Sequence, residues 1–422
     1  MHISINWTKL VQTNHILACF LSVFLLGCGG EKNALVAIDL PLEAPIHQST
    51  LVALVVAEDT LNDMVLLEKK QGTTKEIPYQ IDGDKLWFKV GPFQAAERPE
   101  YFMQKNKTSL PDGSMRIIKK NGNLQMLSGD KPVLSYRYGM TYPPEGIDSV
   151  FGKSGYIHPV LTPSGDTLSR IQPPDHYHHY GIWGPWTHTQ IKGQQVDFWN
   201  LGDRKGTVLF KDFNSTNDGP VFSTFSAAQE HLDYITEEEP QIALNENLQV
   251  RLWDIDRPDR YMFDYTSTLT TPLAEGILFE AYRYGGGIGM RFTERWHKDN
   301  CTVLTSEGND RLTADGTNAR WCIVSGESSD GQGTNGILFL SHPSNRAHPE
   351  PMRVWPIDGN NGRGDMFFEF CPIRHEEWQL APNVEYELKY RMVVFDGQLT
   401  AADAEAYWQS FAHPSQARII AN

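Results

Sequence analysis

The segment PPDHYHHYGIWGPW, residues 173–186, gathers three histidines, an aspartate, two tyrosines and two tryptophans between prolines. Imidazoles titrate near neutrality, so His176, His178 and His179 suit proton transfer, and a carboxylate such as Asp175 can orient one of them. The flanking prolines argue against a helix and for extended geometry. Alternation then predicts His176, His178 and Tyr180 on one face and Asp175, Tyr177 and His179 on the other. On that reading, a His-x-His pair formed by His176 and His178 could ligate a divalent metal (Zn, Mn, Fe or Ca). His158, His188 or His342 would complete the set, and one metal held by all three clustered histidines is the disfavoured geometry.

Other residue types extend this chemistry. Trp183, Trp186 and Trp199 lie close to Tyr177 and Tyr180 in the chain, and exposed rings stack on the apolar faces of sugars. The stretch EAYRYGGGIGMRFTERWHKDN supplies Tyr282, Arg283 and Arg291 around three glycines. No βαβ pattern surrounds those glycines, which excludes a nucleotide loop; they are expected to let the backbone turn or approach another segment closely. Arg283 or Arg291 could clamp a carboxylate or sugar hydroxyls. SHPSNRAHPEPMRVWP ends a strand in a Pro-rich loop that carries His342 and Asn345 towards a ligand-binding rim. GRGD at 362–365 reads as a turn. No paired Asp/Glu set of the two-carboxylate glycosidase kind stands out beyond Asp175.

The elements that must position these residues read as strands. The chain has 422 residues with 35 Gly, 25 Pro and 11% aromatics, and short alternating runs separated by turn signals recur throughout. An all-β fold is expected: a small N-terminal β domain over residues 36–130, then a large antiparallel β-sandwich, of supersandwich kind, over 131–422. One helix is expected in TAADAEAYWQSFAH, capped by Thr400, with Ala404, Tyr407, Trp408 and Phe411 on its apolar stripe. A net charge of −15 excludes a nucleic-acid partner, since no basic stripe is present to meet phosphates. The apolar run Ile16–Leu26 reads as a signal-peptide core over residues 1–27. Leu25-Leu26-Gly27-Cys28 resembles a bacterial lipobox, which implies lipidation at Cys28, a tether over 28–35 and anchoring at the cell envelope, facing the periplasm or at the outer-membrane surface. Membrane contact is expected through that lipid only. Cys301, Cys322 and Cys371 remain; they allow one disulfide at most and form no CxxC pair.

YRYGMTYPPEGIDSVFGKSGYIHPVLTPSGDTLSRIQPPDHYHHYGIWGPW, YGGGIGMRFTERW, ARW and SHPSNRAHPEP resemble the bacterial family of unknown function labelled methane oxygenase PmoA-like, over roughly residues 130–400. A methane monooxygenase membrane subunit needs several spanning helices, which this sequence lacks after its signal. The resemblance implies company with polysaccharide-degradation loci and Gfo/Idh/MocA-type oxidoreductases, and hence glycan chemistry, including cleavage of oxidised keto-glycosides. The leading expectation is a lipoprotein enzyme that cleaves a glycosidic bond by hydrolysis or β-elimination. A histidine of the 176–179 cluster would take the proton, Arg291 or a metal would stabilise the enolate, and Tyr282 or another histidine would protonate the leaving oxygen. The alternatives are a non-catalytic glycan-binding lipoprotein and an accessory subunit of a surface complex.

Overall fold

The short alternating runs become strands throughout the computed structural model, which describes residues 35–40, 49–56, 63–110 and 113–420. Among these residues the strands form sheets of eight, nine, four and eight strands, with one α-helix near the C-terminus. The pairs are antiparallel except where Thr50–Val55 meets Gln416–Ile420. The expected all-β class with sandwich packing is therefore what the chain adopts. The signal segment and Cys28 lie outside the described residues.

Two sheets make the sandwich. One has long strands, including Phe222–Asp233, Gln241–Trp253, Arg260–Thr270 and Tyr386–Asp396. The other, nine-stranded, runs from Met115–Lys120 at one edge through Tyr156–Val160, Ile182–Trp183, Ile288–Arg291 and Phe367–Phe370 towards Glu350–Val354. Their facing side chains share one core, in which Leu248, Val250 and Phe263 meet Ile157, Met290 and Phe368. Each such fully buried side chain stabilises by about 1.5–3 kcal/mol, so this core is the platform that holds the rest.

The N-terminal sheet encloses its own smaller core, and the last strand, Gln416–Ile420, inserts between Leu35–Asp39 and Thr50–Val55. Lys89 pairs with Asp254 at 2.5 Å and Asp256 at 2.7 Å, and Trp87 packs on Trp253 with centroids 5.0 Å apart, so this sheet is seated against the long-stranded one. The helix forms as its pattern predicts, over Ala401–Ala412. Thr400 and Asp403 make a reciprocal capping box, and Ala404, Tyr407, Trp408 and Phe411 are buried. They cover the outer face of the long-stranded sheet. Cys301, Cys322 and Cys371 are free, buried thiols. Among the described residues no helix is long and apolar enough to cross a membrane.

Candidate active site

Alternation along neighbouring strands builds the site. Ile157, Ile182, Met290, Phe368 and Val354 point into the sandwich core, so Tyr156, Trp183, Arg291, Phe367 and Trp355 emerge on the opposite face of the nine-stranded sheet. There they are buried a second time, beneath residues 172–180 and beside Trp199 and Tyr180. Register places Arg291 opposite Phe367 and Ile182 opposite Met290.

The covering segment is not extended. The His176 N–H donates to the Pro173 carbonyl at 2.9 Å and the His179 N–H to the His176 carbonyl at 3.0 Å, which makes two successive tight turns. The Gln172 N–H closes the loop onto the His179 carbonyl at 2.8 Å. This corrects the expected two-faced strand. Proline excludes helix, but its fixed φ also favours the second position of a tight turn, which Pro174 occupies. The turns bring all three histidines together: ring centroids lie 5.4 Å apart for His176 and His178, 4.7 Å for His176 and His179, and 4.9 Å for His178 and His179.

His179 sits deepest, against Trp183, Trp199, Trp355 and Phe367, with centroid distances of 5.3–5.6 Å. Burial, reinforced by the neighbouring imidazoles and Arg291, holds its pKa well below the ordinary histidine value. His178 is pushed down to about 4, first by burial and then by His176. Both rings are thus uncharged at neutral pH. His176 lies nearer the surface, its side chain 35% exposed, with Nδ1 2.8 Å from an oxygen of Asp175. The same oxygen accepts from Arg291 at 2.7 Å, and Arg291 also donates to Asp365 at 2.6 Å. Partial burial would raise the Asp175 carboxyl, but the hydrogen bond from His176 and the Arg291 charge hold it well below the usual carboxylate range. The Arg291 side chain is wholly buried, and its guanidinium lies 4.6 Å from the Trp355 ring centre.

This face carries a surplus of donors. Nε1 of Trp183, Trp199 and Trp355, Nε and Nη1 of Arg291, and Nδ1 of His179 are all buried without a hydrogen-bond partner. Indole and guanidinium nitrogens can only donate, and each unpaired buried donor costs about 1–3 kcal/mol.

Other residues singled out from sequence lie elsewhere. Trp186, expected beside Trp183 as a sugar platform, is 1% exposed in the main core and stacks on Phe279 at 4.3 Å. Three positions after Trp183, and beyond Pro185, the chain has returned to the core side. Tyr282 stacks on His188 at 3.6 Å rather than joining the histidines, and Arg283 lies exposed over the Tyr284 ring. It is Tyr284 that reaches the aromatic wall, 5.2 Å from Trp199. The glycines behave as expected: Gly285, Gly286 and Gly287 all have positive φ, and a Cβ on Gly286 would lie 2.0 Å from the Trp186 ring. Asn345 is consumed structurally, donating to Glu350 at 2.9 Å and the Lys389 carbonyl at 2.8 Å. His342 bonds Ser344 and packs on Phe411, on the far side of the sandwich.

His176 Nδ1 bonds Asp175 and His158 Nδ1 bonds Ser169, at 2.8 Å each, which leaves Nε2 of both rings uncommitted. Among the described residues no three His, Cys, Asp or Glu side chains gather to hold an ion.

Sequence reasoning missed Trp355, Phe367, Tyr284, Asp365 and Glu369. Asp365 ends the GRGD turn, where nothing local signals its partner. Glu369 shares the Phe367 face, and accepts from the Gly285 N–H at 2.6 Å. Burial pushes its carboxyl well above the ordinary range.

No curated protein matches the chain. Solved structures with partial likeness include a mutant of the heparan sulfate lyase HepC from Pedobacter heparinus, at 9% identity and TM-score 0.36 over 70% of this chain and 38% of that one. This chain therefore spans well under half the length of the lyase. A galactose mutarotase related enzyme from Lactobacillus acidophilus matches at 9% identity and TM-score 0.29, over 68% of this chain and 100% of that one. An α-galactosidase from Lactobacillus brevis matches at 11% identity and TM-score 0.28, over 71% and 40%. A family model matches residues 123–409, which include the whole histidine-tryptophan face, and the chain belongs to that family, described as a family of unknown function (DUF6807).

Proposed function

We propose that the chain is a carbohydrate-active enzyme that cleaves a glycosidic bond, by hydrolysis or by β-elimination next to a carbonyl. The observation that carries this reading is the Asp175–His176 pair, held by Arg291 beside two uncharged imidazoles on a wall of tryptophans. With Nδ1 directed at Asp175, His176 offers Nε2 to a substrate proton. The carboxylate, fixed by Arg291, stabilises the imidazolium that forms. The unpartnered N–H groups behind His176 suit the oxygens of a sugar or the oxyanion that develops on cleavage.

The test is incubation of the protein with a panel of glycosides and 3-keto-glycosides while reducing ends and enone absorbance are followed. His176→Ala is expected to lower turnover by about 10²–10⁴-fold, the usual worth of a positioned acid or base. Glycan binding with no product from the unmutated protein would overturn the enzymatic reading and leave the glycan-binding alternative. The proposed location is the cell envelope, through a lipid on Cys28. Cys28→Ser is expected to move the protein from the membrane to the soluble fraction, and unchanged membrane association would sink that part of the proposal.

A further inference from the structure

A groove of about 450 Å³ lies where the N-terminal sheet meets the outer face of the long-stranded sheet. Its floor is a polar ladder across three strands, in which Arg251 lies opposite Asp264 and Asp264 opposite Arg391, with Gln249, Thr266 and Lys389 in the next row. Its wall is the turn that leads into Trp87, and Phe411 of the helix closes one end.

We infer that this groove is a second saccharide-binding site, separate from the histidine face, for a neutral sugar unit. Charge points that way first. Asp82, Asp84, Asp264 and Glu387 face Lys85, Arg251, Lys389 and Arg391, an equal number of each sign. Arg251 pairs with Asp82, and Arg391 with Asp264 at 2.6 Å. A phosphate or sulfate would meet four carboxylates and a cation would meet four basic groups, whereas an uncharged polyol meets neither penalty. Hydrogen bonding points the same way. A sugar hydroxyl both donates and accepts, and the floor alternates carboxylate, amide and hydroxyl groups with guanidinium and ammonium groups. Two of the donors, Trp87 Nε1 and Arg251 Nε, are buried without partners. Trp87 supplies a half-buried ring for a sugar face, tilted on Trp253 at 5.0 Å. The volume falls within the range of about 300–1,000 Å³ usual for small-ligand sites.

The experiment uses the full chain and neutral tetrasaccharides of glucose, xylose, mannose and galactose, with binding read by titration calorimetry and ligand-observed NMR. At least one probe is expected to bind the unmutated protein and His178→Ala equally well. Trp87→Ala is expected to weaken that binding about tenfold or more. Because Trp87 also packs between sheets, Thr266→Arg serves as a second variant: it fills the groove from the floor without removing a ring, and it too is expected to abolish binding while leaving the thermal melt unchanged. Binding that vanishes in His178→Ala, or that survives Thr266→Arg, would overturn the inference, as would binding of none of the four probes. Turnover at the histidine face is untouched by these outcomes, so the two proposals fail separately.

Discussion

Arg291 carries its charge with no solvent contact, so its free energy is set by its partners. Asp175 and Asp365 compensate it, and the Trp355 ring covers one side. Removing one member of a buried pair is worse than never having had the pair, because the remaining charge cannot be rehydrated. Arg291→Met is therefore expected to destabilise the fold by about 3–5 kcal/mol, since Asp175 keeps only His176, and Asp365 only Arg363 and Arg170, to meet its charge. Urea denaturation measures this, and an unshifted midpoint would show that water reaches the carboxylates. The sequence around Arg291 marks it as a candidate clamp. It does not mark the partners: Asp175 and Asp365 stand 116 and 74 residues away in the chain.

Among the elements, the glycine run shows how local chemistry serves a distant wall. Gly286, at φ 79°, lets the chain pass over Trp186, and two residues earlier Tyr284 reaches Trp199. Gly286→Ala would combine left-handed strain with overpacking against a core tryptophan that has nowhere to move, a loss of at least about 2 kcal/mol. Gly91→Ala serves as a control, since its Cβ would meet nothing within 4 Å. Equal thermal melts for the two variants would refute the close-approach account. The helix is the opposite case. Thr400, the 3.6-residue stripe and the acidic Asp403 all act along one short stretch of chain, so its span and buried face are readable directly from the sequence.

For the molecule as a whole, pH couples these parts. Glu350 joins the two sheets of the sandwich, accepting from Tyr390 at 2.9 Å and from Ser341, and burial raises its carboxyl from 4.5 to about 7. Its folded form holds the proton more tightly than its unfolded form, so its contribution is present below pH 4.5 and is lost as pH rises through 7, by roughly 3 kcal/mol. His158 and His178 act in the other direction. Burial lowers each from 6.5 to about 4, so their contribution is present above pH 6.5 and is lost as pH falls through 4. Stability is expected to climb between pH 4 and 6.5 and to ease near neutrality. Glu350→Gln should steepen the climb and remove the easing. Denaturation curves for the two proteins at pH 5, 6 and 7 decide the matter, and a constant difference between them would mean that Glu350 does not titrate in this range.

Period and punctuation act within a few residues of chain, which is why the strand-rich class, the capped helix, the turning glycines and the histidine-bearing segment are all legible in the sequence by itself. The faces of strands buried on both sides are not. Ile288–Arg291 and Phe367–Phe370 are buried at every position, so polarity alone cannot say that Arg291 and Phe367 leave the core while Met290 and Phe368 enter it. Pairing register between distant strands decides that. It also assigns Trp183 to the wall and Trp186 to the core. The prolines of PPDHYHH allow both a strand and a pair of turns. The cover that this segment forms over the wall selects the turns, and with them the convergence of three imidazoles that strand alternation would keep apart.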